Sequence, residues 1–120
     1  MIFYLGHMEF APAVKDQPFL AVEDWRLFHV PEEQAVYLLL RHRRMGSTRS
    51  KIRMTSAIVG TDPLRRIVRT FSGRLYELSL PPCADPTVQS AFLTYLQMQG
   101  LAAYEDVSSM LWAQLACTVH

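Results

Sequence analysis

Ten of the twelve basic residues lie between Arg41 and Arg74, and nine of those ten are arginine. They are Arg41, Arg43, Arg44, Arg49, Lys51, Arg53, Arg65, Arg66, Arg69 and Arg74, and Asp62 is the only acid among them. A guanidinium is a planar fork of donors that grips two oxygens of a phosphate or carboxylate at once, so the chemistry this cluster points to is anion binding. The rest of the chain reverses the balance, with ten acids against Lys15 and Arg26. Such asymmetry predicts a basic face and an acidic face. Two observations weigh against a free basic face. The net charge is only +1 with a pI near 7.8, whereas nucleic-acid binders are usually basic as a whole. The arginines also have candidate partners within the fold or across a dimer in Glu9, Glu23, Glu32, Glu33, Glu105 and Asp106.

Other chemistry finds less support. His7, His29, His42 and His120 are far apart, with no HxH or HxxxH spacing, so no metal site is expected. Cys83 follows Pro81-Pro82 near a helix start, where a thiolate would be stabilised, but no histidine or acid stands in a recognisable relation to it. Ser72-Gly73 is turn chemistry and lacks the nucleophile-elbow pattern. The acid pairs Glu23-Asp24, Glu32-Glu33 and Glu105-Asp106 face apart on regular elements and mark caps and turns. No glycine-rich phosphate loop is present. The reading has no catalytic residues, no cofactor and no metal.

The elements that must hold the arginines follow from periodicity. FLAVEDWRLFHV has two apolar parts around Glu23-Asp24. Its alternating part Trp25–Val30, AVYLLLRHRR, KIRMTSAIV, RIVRTF and the stretch from Arg74 to Leu80 read as strands, broken at Pro31, at the Gly46–Ser50 loop, at Thr61-Asp62-Pro63 and at Ser72-Gly73. In the third of these, Ile52, Met54, Ser56 and Ile58 oppose Lys51, Arg53 and Thr55. After Pro81-Pro82 the period becomes helical. Asp85 is a cap, Pro86 the first helical residue and Gly100 a stop; a second helix starts near Glu105 or Asp106. The expected fold class is therefore α+β: a curved antiparallel β-meander of about five strands, small and barrel-like, followed by two C-terminal helices. One domain spans residues 1–120, β-rich over 1–80 and helical over 81–120.

Half the residues are hydrophobic, which is hard to hide in a monomer of 120 residues. A homodimer is expected, with Met98 and Trp112, which stand off the main helical stripes, on the shared surface. The opening MIFYLGHMEF lacks the pattern of a signal peptide or membrane span, and two cysteines, Cys83 and Cys117, without close spacing suit a reducing compartment; the expectation is a cytoplasmic protein with no membrane partner.

Thr55-Ser56, followed by Thr70, Ser72, Gly73, Tyr76 and Leu78, resembles a pattern in small uncharacterised proteins carried on bacterial plasmids, prophages and integron cassettes. It covers about a third of the chain and brings no catalytic residues. The resemblance implies a bacterial accessory protein. Together with the charge pattern it gives the expected function: non-enzymatic binding of an anionic partner, most simply nucleic acid, by the arginine-rich sheet. The alternatives are a protein-interaction module of a mobile element that meets an acidic protein surface, and, third, a small enzyme.

Overall fold

The computed structural model describes residues 3–4, 18–43 and 50–117. Eight strands and two helices follow in order: β1 (Phe3–Tyr4), β2 (Phe19–Val22), β3 (Trp25–Val30), β4 (Ala35–Arg43), β5 (Ser50–Asp62), β6 (Ile67–Thr70), β7 (Leu75–Leu78), α1 (Pro86–Met98), β8 (Glu105–Asp106) and α2 (Ser108–Cys117). The α+β class and the two C-terminal helices agree with the sequence reading. The sheet does not. It is larger than a five-stranded meander and mixed, with the path β2-β7-β6-β5-β4-β3-β8 and β1 paired to β5 off that path. Among the described residues only the β2–β7 ladder is parallel, and the sheet stays open between β2 and β8.

The correction has a local cause at Glu23-Asp24. Phe19–Val22, outside the expected meander of residues 25–80, is a strand of its own, because the chain bends at these two polar residues and gives the halves of FLAVEDWRLFHV to different partners. Phe19–Val22 runs parallel to β7, while Trp25–Val30 runs antiparallel to β4. Strands one bend apart in the chain thus stand first and sixth on the path, so the sheet must curl back on itself. The thirteen-residue β5 makes the curl: residues 50–57 pair with β4 and residues 58–62 with β6, with register shifts in both ladders. Bulges of this kind bend a strand and increase its twist.

A curled sheet has an inside and an outside, and strand alternation divides the apolar residues between two cores. Val22, Trp25, Leu27, Leu38, Leu40, Val68, Tyr76 and Leu78 fill the inside, where Val107 and Leu115 close one end from the start of α2 and from the helix itself. Phe28, Leu39, Ile52 and Met54 form the outer face of β3-β4-β5, covered by Val88, Phe92, Tyr95 and Leu96 of α1. Helix α1 forms as its sequence predicts: the Asp85 carboxylate accepts from the Thr87 N–H at 2.8 Å, Pro86 opens the helix, and Gly100 with φ +77° follows its end. Helix α2 starts later than expected, at Ser108, because Glu105 and Asp106 pair as β8 with His29 and Phe28.

Candidate anion-binding residues inside and outside the sheet

The arginines of residues 41–74 do not share one face. Arg53 and Arg74 are 2% and 1% exposed. The expectation of an outward row of Lys51, Arg53 and Thr55 is corrected at Arg53 and Thr55, since β5 is covered on both faces: α1 packs over Ile52 and Met54, and the curl encloses the opposite side. Arg53 lies 6.0 Å from the centroid of the Tyr76 ring, and Arg74 Nη1 donates to the Tyr76 hydroxyl at 3.5 Å. Two guanidinium groups therefore flank one tyrosine inside the sheet.

Four of the remaining eight members are engaged. Arg41 pairs with Asp24 at 2.5 Å. Arg66 lies 4.5 Å over the Trp112 ring, and Arg65 approaches Asp62 at 3.9 Å with both side chains exposed. Lys51 also has a partner. Arg43 ends β4 opposite Ser50, and Arg44 and Arg49 lie outside the described residues.

Arg69 stands apart. On β6 and β7 the inward residues are Val68, Thr70, Tyr76 and Leu78, so Ile67, Arg69, Leu75 and Glu77 face outward. Register places Phe19, Leu75, Arg69 and Gly60 in one row across β2, β7, β6 and β5. The Arg69 guanidinium lies over Gly60, where a Cβ would sit 3.5 Å from Nη2. Phe19, 45% exposed, lies in this row, and Phe71, 80% exposed, follows Arg69 by two residues just past the end of β6. No helix packs on this face among the described residues. The next row is less basic, since Ala21, Glu77, Ile67 and Asp62 align there. Tyr76, on the same strand as Leu75, is buried on the inside, and Phe19, a residue distant in sequence, reaches this face through the parallel β2–β7 ladder.

The expected partner surface is also divided. Met98 is 62% exposed at the end of α1, whereas Trp112 packs at the edge of the inner core, 5.8 Å from Trp25 and beneath Arg66.

Elsewhere, a cleft of about 480 Å³ runs between the β4-β5 outer face and the end of α1, lined by Glu33, Tyr37, Ser56, Phe71, Gln99 and Leu101 among others. The Tyr37 hydroxyl donates to the Glu33 carboxylate, and burial together with that acid pushes its pKa up to about 12. Cys83 is a buried free thiol packed under α1, so its position before the helix is structural. Among the described residues no group of three or more His, Cys, Asp or Glu side chains converges to hold a metal. Among the described residues no helix is long and apolar enough to cross a membrane. No protein-family model, curated protein or solved structure matches the chain.

Proposed function

We propose that this is a non-enzymatic accessory binding protein, bacterial by the sequence resemblance, that meets an anionic partner through the outward face of β2-β7-β6-β5, with single-stranded nucleic acid as that partner. The supporting observation is the row Phe19, Leu75, Arg69, with exposed Phe71 two residues beyond Arg69 in the chain. Exposed rings and a flat guanidinium on an open sheet are what unpaired bases stack on, and Arg65 at the adjoining turn adds charge for the backbone. A duplex, with its bases already stacked, gains less from such a face.

The test is fluorescence anisotropy of short single- and double-stranded DNA and RNA at two salt concentrations. The expected result is preferential single-strand binding that weakens steeply with salt, because phosphate contacts release counterions. Phe71→Ala is expected to cost about 1–3 kcal/mol of binding, the usual worth of one base–aromatic stack. No binding at low salt would overturn the reading and favour the protein-interaction module, for which exposed Leu64, Phe71, Met98 and Met110 are the pertinent observation. The proposal retains a homodimer, read by sedimentation at concentrations on the order of tens of micromolar; a monomer there would remove it.

A further inference from the structure

The inside of the sheet holds a second, separate anion question. Among the described residues six polar or charged ones are buried: Arg53, Thr55, Ser56, Thr70, Arg74 and Ser108. Five of them have partners. Thr55 Oγ1 donates to the Ser56 carbonyl at 2.7 Å and accepts from the Leu38 N–H at 3.3 Å. Ser56 Oγ accepts from the Ser72 N–H, Thr70 Oγ1 bonds Ser72 and the Arg74 carbonyl, Ser108 Oγ bonds both backbone groups of Leu27, and Arg74 has Tyr76 and a further interaction. Arg53 differs, because its Nε and Nη2 have no hydrogen-bond partner among the described residues.

Those two nitrogens are not an arbitrary pair. Nε–H and the adjacent Nη2–H form one edge of the guanidinium and point the same way, so they make the two-donor fork that receives two oxygens of one oxyanion. A guanidinium 2% exposed with that edge empty is a buried charge whose compensation is limited to the Tyr76 ring. The Tyr76 ring beside it offers only its π-face at 6.0 Å, and the neighbouring Arg74 adds a second positive charge to the same interior. The second charge raises the attraction for an anion in a poorly screened place, and the electron-rich ring face offsets it only weakly.

The geometry points to a binding site for one small oxyanion, a phosphate, sulfate or simple carboxylate, held bidentately by Arg53 Nε and Nη2 inside the curled sheet next to Tyr76. The site is independent of the outward face. A nucleic-acid strand is too large to reach Arg53, so the ligand is a small ion or metabolite of that chemistry.

Thermal denaturation of the intact chain in Tris-chloride, titrated with inorganic phosphate, sulfate or acetate at constant ionic strength, tests it. Binding to the folded state alone raises Tm with the logarithm of anion concentration, by roughly 8 °C at a hundred times the dissociation constant for a chain of this length. Comparing phosphate and sulfate with acetate separates the tetrahedral from the planar ligand. Arg53→Met is expected to abolish the response, Arg53→Lys to weaken the affinity about tenfold by losing the fork, and Arg69→Ala on the outer face to leave it intact. Should Arg53→Met not fold, the Arg53 Nε–H resonance of the wild-type protein serves in its place and is expected to move saturably with added anion. The proposal is overturned by a wild-type Tm that no anion raises, by a response that survives in folded Arg53→Met, or by an Nε–H resonance already hydrogen-bonded and indifferent to anion, as a carboxylate of the chain itself would make it.

Discussion

Arg41 closes on Asp24 three times. Its backbone N–H donates to the Asp24 carbonyl at 2.9 Å, and its Nε and Nη2 donate to Asp24 Oδ2 at 3.0 and 2.5 Å. The contact ties the end of β4 to the bend between β2 and β3, where the chain changes ladder. Both side chains are about a third exposed, so solvent screens the pair. Arg41→Ala is expected to cost at most about 1 kcal/mol, lowering Tm by a few degrees, and to leave single-strand binding unchanged. A large loss of nucleic-acid affinity in this variant would move Arg41 from a clasp to the binding surface.

Asp106 predicts an acid-sensitive dock for α2. Burial pushes its carboxyl up, but hydrogen bonds from Arg26 Nε at 2.7 Å and from Ser108 N–H at 2.9 Å outweigh it, and the net pKa lies below the ordinary aspartate value. A carboxyl with a depressed folded pKa stabilises the fold above its unfolded value, and that contribution is lost as pH falls through the ordinary aspartate range toward the folded pKa. Urea midpoints taken from neutral pH into that range should fall for the wild-type protein and flatten in Asp106→Asn, which is already weakened at neutral pH. Equal slopes would mean that another acid dominates the transition.

The strands, the first helix and its cap were legible because they rest on local chemistry: alternation in KIRMTSAIV, Ser72-Gly73 at a hairpin with Gly73 at φ +97°, and Asp85-Pro86 at a helix start. The parallel β2 ladder was not legible, since it depends on a bend at Glu23-Asp24 and on pairing between residues over fifty positions apart. The candidate site suffered from the same limit. Alternation correctly separated Arg53 from Ile52 and Met54, but it says only that two faces exist and not which is wet. With both faces of β5 covered, the charged face became an interior one. Arg69 and Arg53 look alike in sequence and differ only in which side of the curl they occupy.

Alkaline titration should expose the buried phenols. Burial pushes the pKa values of Tyr95 and Tyr37 up to about 12, with Glu33 adding to the effect at Tyr37. Because the unfolded phenols ionise near pH 10, stability attributable to both is complete below that value and is lost as pH rises toward about 12. The tyrosinate absorbance of the folded chain should lag behind that of the chain in denaturant across this window. Among the described residues the Tyr95 hydroxyl makes no hydrogen bond of good geometry and has only the Met54 backbone close enough to lower its pKa slightly against the burial, so Tyr95→Phe is expected to be neutral or stabilising by up to about 1 kcal/mol. A clear loss of stability would show that the hydroxyl is satisfied in solution.

Arg66 carries two opposing effects at one position. Its φ of 55° places a side-chain-bearing residue in the left-handed region, at a cost on the order of 1 kcal/mol, while its guanidinium 4.5 Å over Trp112 returns about 0.5–1 kcal/mol by pinning the β5–β6 turn to α2. Arg66→Ala keeps the strained backbone and discards the stacking, so it should lower Tm by several degrees. Arg66→Gly discards both and should come back close to the wild-type value. Trp112 emission reports the stacking directly and should change alike in the two variants. If glycine proved as destabilising as alanine, the backbone strain would not be real and the turn would be held by the cation–ring contact alone.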